Sequence, residues 1–243
     1  MPAALTANWI NPLLFSWPVE DAVLEPLLPP GLVIDHWQGR AYVSLVGLRF
    51  DNLRVLGVPA LPRAYNEINL RFYVRRRSGD EDSRPGVVFC RQLVPHRLTA
   101  LAARVMYGEP FETVPTGHVF SGSYAAETLL PACVEYHWDE NGRRHQFWAS
   151  ADEAPMIAPP GSLGEFLTSR YWGYNGKPAA DVRTYHLTRP AWQVRQASRW
   201  GIDCDFSDVC GGRFTEAMRT VPASVLLATG SKTAVSLPVA LPR

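Results

Sequence analysis

Lysine is nearly missing from this chain. Among 24 Lys+Arg the only lysines are Lys177 and Lys232, leaving 24 − 2 = 22 arginines. Any mechanism that needs a side-chain amine to form an imine therefore has two candidates and no more. Cysteine is scarce as well: Cys90, Cys133, Cys204 and Cys210 are too few for a disulfide framework, and no CxxC pair suggests zinc. Cys204 and Cys210 lie six residues apart, which is not a metal-ligand spacing. Net charge is only +1 with a pI near 7.7, so no overall basic field argues for nucleic acid. No run approaches the ~20 apolar residues that a bilayer requires, and the start MPAALTANWINPLLF lacks the basic and apolar regions of a signal peptide. The expectation is a cytoplasmic protein with neither membrane nor nucleic-acid partners; oligomeric state is left open.

Catalytic strings are absent too. There is no P-loop, nucleophile elbow, HExxH, or GxGxxG between strand and helix, and six histidines show no ligand spacing. No motif implies a cofactor or a metal.

What is present is β-pattern. Prolines number 21 and are spread throughout, favouring short strands and turns over long helices. Strands are expected at Arg40–Phe50, Glu67–Arg75 and Gly86–Leu93, the last two joined as a hairpin by SGDEDSRPG. In that link, Arg75, Arg76 and Arg77 face Asp80, Glu81 and Asp82 as a self-compensating turn. VEYHWDENGRRHQFWA reads as a hairpin about Asn141-Gly142, which sets Glu140 opposite Arg143, Asp139 opposite Arg144, Trp138 opposite His145 and His137 opposite Gln146. His137 and His145 then point to opposite faces and cannot share a metal.

Three helices are expected. One begins at Pro18 and is broken by Pro26. A second, RLTALAARVMYG, places Leu98, Leu101, Ala102, Val105 and Met106 on one stripe facing the core, and Gly108 ends it. A third starts at Ser162 with Glu165 completing a capping box. The C-terminal third reads as further strands, and no composition break asks for a domain boundary within 1–243.

The segment AYNEINLRFYVRRR poses the functional question. Ile68, Leu70, Phe72 and Val74 share one strand face; Glu67, Asn69, Arg71, Tyr73 and Arg75 share the other. That polar face is either solvated or lines a cavity. Glu67 and Arg71 are ~13 Å apart along the strand and cannot pair within it. If the face is buried, Glu67 needs a partner elsewhere, a proton or a ligand.

Four ordered stretches carry a family likeness: NWINPLLFSWPVEDAVLEPLLPPGLVID, GRAYVSLVGLRF, NEINLRFYVR and GSLGEFLTSRYWGY. With them the chain resembles the YqjF-like bacterial family of unknown function, placed near the acetoacetate decarboxylase-like superfamily. The resemblance covers roughly the first three quarters of the chain. It implies a mainly β fold, an antiparallel closed barrel or cone with a few short peripheral helices, enclosing a small-molecule cavity. In the decarboxylase branch a lysine forms an imine with a β-keto acid, helped by acidic residues and an arginine. Glu67 is the position that carries across as a pocket glutamate.

Elsewhere the pattern is lost. The lysine region reads VVFCRQLVPHRL, with Cys90, Arg91, Gln92 and Leu93; the N-terminal arginine falls at Ile10 or Asn11, and a second acid near Val43. Lys177 and Lys232 lie in sequences read as turns, and a guanidinium does not replace an amine in imine chemistry. The resemblance therefore favours a cavity that binds a small acidic or oxo molecule. Glu67 is the candidate acid or base, and Asn69, Arg71, Tyr73, Arg91 and Tyr171 are the candidate binding residues. The alternative is a non-catalytic structural or interaction protein whose cavity is filled by some of its 27 aromatic residues. A solvent-connected cavity of roughly 300 Å³ or more beside Glu67 would favour a ligand; a collapsed interior would favour the alternative.

Overall fold

A computed structural model describes residues 3–77, 84–122, 131–175, 181–210 and 212–241. Lys177 and the acidic turn Asp80–Asp82 lie outside the described residues. Seven strands form the frame: β1 (Ala3–Val19), β2 (Ala41–Val55), β3 (Tyr65–Arg76), β4 (Gly86–Val94), β5 (Trp172–Asn175), β6 (Arg183–Thr188) and β7 (Gly230–Ser236). They pair in the order β1-β7-β6-β5-β4-β3-β2, and β2 returns to β1, closing a barrel.

The barrel is mixed rather than wholly antiparallel. β5 runs parallel to β4, with Trp172 opposite Gly86 and Tyr174 opposite Val88. Parallel neighbours need a long crossover. Residues 95–171 supply it, carrying α1 (Arg97–Tyr107), α2 (Leu163–Thr168) and most of a second, four-stranded sheet.

That second sheet contains Thr116–Ser121, Cys133–Glu140, Arg143–Ser150 and Arg199–Asp203. Its central hairpin has the register set by Asn141-Gly142, with His145 opposite Trp138 and His137 opposite Gln146. Asp139 and Arg144 pair across it at 2.8 Å. Arg143 instead reaches Asp203, and Glu140 reaches Arg91, because neighbouring strands offer closer partners.

The second sheet explains why β3 is buried on both faces. Ile68, Leu70, Phe72 and Val74 pack with Tyr136, Trp138 and Phe147 in one core. Tyr65 and Tyr73, from the opposite face, join a second core inside the barrel with Val46, Leu48, Phe50 and Phe111. Glu67, Asn69, Arg71 and Tyr73 on the polar face of β3 are therefore buried on the barrel side, and only Arg75 near the strand end meets water.

Two helix expectations change. β1 runs through Phe15–Val19, so the first helix shrinks to Asp21–Leu24 followed by a 3-10 turn at Glu25–Leu27. Pairing on one flank of β1 ends at Ser16, so Pro18 costs that ladder no hydrogen bond. α1 has the expected bounds, with Gly108 in the left-handed conformation at its end. It packs through Ala100 and Tyr107, while Leu98, Leu101 and Val105 face outward. Ala103 and Met106 complete the inner side, so of the expected stripe only Met106 packs against the barrel. No helix among the described residues is long and apolar enough to cross a membrane.

Candidate functional site

Two carboxyls occupy one end of the barrel interior. Glu67, on β3, is 5% exposed and accepts a hydrogen bond from Asn69 Nδ2 at 2.9 Å. Glu109, just past the end of α1, is equally buried and accepts from Gln92 Nε2 at 2.7 Å and from the Tyr185 hydroxyl. Burial penalises the charged form of each. Glu67 is pushed up to about 8 by burial, opposed by the Asn69 bond and reinforced by Glu109. Burial pushes Glu109 up to about 7, against its bonds from Tyr185 and Gln92. Both carboxyls thus hold or exchange a proton near neutrality, where acid–base catalysts work.

Gly173 makes room for this arrangement. It lies opposite Tyr185 across the β5–β6 ladder, and a Cβ there would stand 2.1 Å from the Tyr185 ring. Only glycine lets the phenol lie across β5 and reach Glu109.

Arginines occupy the other end. α2 starts at Ser162, whose Oγ accepts from Glu165 N at 3.2 Å, while the Glu165 carboxylate accepts from Gly161 N. Its C-terminal carbonyls have no helical partners. Three successive ones accept guanidinium donors: Phe166 O from Arg170 Nε at 2.6 Å, Leu167 O from Arg71 Nη2 at 3.4 Å, and Thr168 O from Arg189 Nη2 at 2.5 Å. The negative end of a helix suits cations. Arg170 also pairs with Asp35 and lies over Phe166, and Arg189 lies 3.9 Å over the Trp192 ring. Neither Arg71 nor Arg189 contacts a carboxylate among the described residues, and the Nε of each is buried without a protein partner. Burial is the main cause that brings Arg189 down to about 10, and the neighbouring Arg71 charge adds to it.

Between the two ends lies a cavity of about 110 Å³. Trp9, Phe50, Tyr65, Phe111, Trp172 and Trp192 supply much of its wall. It falls short of the roughly 300 Å³ set above as favouring a ligand, yet holds more than one water and is not collapsed. The barrel is narrowed by aromatics but not filled.

Residues 6–232 match the DUF2071 family, described as an uncharacterized conserved protein. The chain belongs to DUF2071. Uncharacterized protein YqjF of Bacillus subtilis (strain 168) is 30% identical over 168 residues, which is 68% of this chain and 64% of that protein. The chain thus matches just under two thirds of that relative's length. Among solved structures, the enduracididine biosynthesis enzyme MppR complexed with pyruvate superposes with a TM-score of 0.69 at 12% identity, over 100% of this chain and 91% of that one. An acetoacetate decarboxylase-like enzyme from Sphingomonas wittichii RW1 gives 0.67 at 15% identity, over 99% and 94%. Acetoacetate decarboxylase from Legionella pneumophila gives 0.67 at 12%, over 99% and 88%. At these identities the likeness is one of fold: an acetoacetate decarboxylase-like barrel.

On this DUF2071 barrel, Glu67, Asn69 and Arg71 all line the cavity. Tyr73 lies beneath the arginines, its ring 5.1 Å from Arg170 and 5.8 Å from Arg71, with its hydroxyl bonded to Ser44 Oγ at 2.6 Å. Tyr171 stands outside the lining and reaches the site only through Arg189, 4.9 Å over its ring.

Arg91 is elsewhere. A bulge opposite Leu70 and Arg71 leaves Cys90 as an extra residue in β4, so Phe89 and Gln92 face the cavity and Arg91 turns to the other side. There it pairs with Glu140 and Glu112. Val43 also faces away, in the core shared with the second sheet. Lys232 lies on β7 rather than in a turn, opposite Asn8 and exposed.

Glu109, Arg170, Arg189 and Tyr185 were not identified from sequence. Arg170 sits in the quoted GSLGEFLTSRYWGY stretch, but nothing there marks it as interior. Tyr185 and Arg189 share one alternating face with Leu187 along β6 and just past its end, but Glu109 follows α1, and only the closed barrel brings the three together.

Proposed function

We propose that the barrel cavity binds a small carboxylic or oxo acid and that Glu67 exchanges a proton with it. The acid's carboxylate meets Arg71 and Arg189, and its other end lies beside Glu67 and Glu109. One observation carries the reading: a cavity with two guanidiniums at one end that have no carboxylate partner among the described residues, and two proton-holding carboxyls at the other. A guanidinium fork suits a carboxylate, and the low dielectric strengthens the contact. A carboxyl poised near neutrality can then take a proton from, or give one to, carbon beside the bound carbonyl, as a lyase or isomerase requires. The pyruvate complex of MppR supports a small oxo acid as an occupant of this fold, although fold alone does not set chemistry. The reading uses no imine, since Gln92 stands on the lysine-bearing strand and is tied to Glu109.

The small volume and aromatic wall favour a second reading, a vestigial cavity that serves packing only. A thermal-shift screen with small oxo, hydroxy and lipid-like acids decides between them, run beside Glu67→Gln and Arg71→Ala. A ligand at a hundred times its dissociation constant adds about 2.7 kcal/mol. A shift in wild type that folded Arg71→Ala lacks supports binding, and turnover of that acid is then measured. No shift with any acid leaves the packing role.

A further inference from the structure

The arginine end carries more charge than a simple carboxylate removes. Arg71 Nη2 and Arg189 Nη2 donate to adjacent carbonyl oxygens, Leu167 O and Thr168 O, so the two guanidiniums are held side by side. Arg170, the third member, already has Asp35. Arg71 and Arg189 each keep a buried Nε without a partner among the described residues, and both residues line the cavity. Arg71 is buried and Arg189 partly so, and holding two cations together with no carboxylate beside them among the described residues is unfavourable unless an anion of matching charge completes them.

We propose that this end is built for a dianion: a small acid bearing two negative charges at one end, either a phosphoryl group or a malonate-like pair of carboxylates. This inference rests on the acid-binding reading above and narrows its substrate class. A monoanion leaves one guanidinium of the pair uncompensated. Arg189 already donates Nη1 to Pro190 O at 3.1 Å and Nη2 to Thr168 O, so a dianion meets it at Nε and meets Arg71 at Nε as well, one charge to each guanidinium. The volume of about 110 Å³ keeps the ligand to a few heavy atoms beyond the charged group.

Isothermal titration at pH 7 and low salt tests this on the full chain, with malonate, methyl phosphate and propionate as probes of comparable size. One of the two dianions is expected to bind at least about tenfold tighter than propionate, and the tighter one tells a phosphoryl group from a dicarboxylate. Arg189→Met should bring that dianion's affinity to within a few-fold of propionate's, and Arg189→Lys should restore only part of the gap, because the charge returns without the fork. Equal binding of propionate and both dianions by wild type overturns the dianion inference and leaves acid binding standing. Absence of binding by all three, with no acid shifting the melting temperature, overturns both. The wild-type comparison needs no variant, so it decides even if Arg189→Met does not fold.

Discussion

Replacing Glu67 by glutamine should change how stability depends on pH. The unfolded chain releases this proton near the ordinary glutamate value of 4.5, whereas the native protein keeps it to about 8. Between those values the native state binds more protons than the unfolded state, so stability falls as pH rises. Each pH unit is worth about 1.4 kcal/mol, which sets a ceiling on the order of 5 kcal/mol over the whole window. Glutamine has nearly the same shape, accepts from Asn69 as the acid does, and has no proton to lose. Urea unfolding of both proteins from pH 4 to pH 9 isolates the contribution of this one group. Wild type and Glu67→Gln should be similar at pH 4, the variant should gain steadily from about pH 5, and the gap should level off above pH 8. Parallel curves would falsify the argument, since they would mean that Glu67 ionises as freely in the barrel as in water.

Other substitutions probe the site's supports. Arg189→Met relieves the repulsion from Arg71, and its apolar chain can fill the same space; it should raise unfolding free energy without ligand by about 1–3 kcal/mol while weakening acid binding, read by urea melts and titration. Ser162→Ala removes the α2 cap at a cost of about 1 kcal/mol and loosens the carbonyls that gather the three arginines; a thermal melt alone should detect it. Gly173→Ala drives a methyl into the Tyr185 ring, so Tyr185 loses Glu109; near-ultraviolet tyrosine signals should change even if the fold survives. Phe72→Ala, a fully buried residue between the two sheets, should cost about 3–5 kcal/mol, and a loss under 1 kcal/mol would contradict the packing described.

Much of this could be read along single elements. Strict alternation separated the two faces of β3, and Asn141-Gly142 fixed a hairpin register residue by residue. What alternation leaves open is whether a polar face meets water or a cavity, because that depends on a second sheet more than 40 residues away covering the apolar side. Arg91 shows a different limit. One extra residue in β4 reverses which side chains face inward, and a bulge leaves no mark on periodicity. α1 shows a third: two stripes fit its spacing, and the one that packs is Ala100, Ala103, Met106 and Tyr107, a choice that spacing alone does not make. The second glutamate and the arginines at 170 and 189 join the site through closure alone.

The two carboxyls should titrate as a coupled pair. Burial raises both, Glu109 to about 7 and Glu67 to about 8, and Glu109 adds to the upward push on Glu67. The pair thus loses its protons in two steps that belong to both groups. Glu109→Gln removes the coupling, so it should lower the Glu67 value towards the range set by burial and Asn69 alone. Carboxyl carbon shifts in a labelled protein, followed from pH 5 to pH 9, measure Glu67 in wild type and in the variant. An unchanged Glu67 would mean that burial alone holds its proton, and Glu67 could then be named the acid independently of its neighbour. A fall would mean that neither residue alone is the acid, and proton transfer to a bound ligand would have to be assigned to the pair.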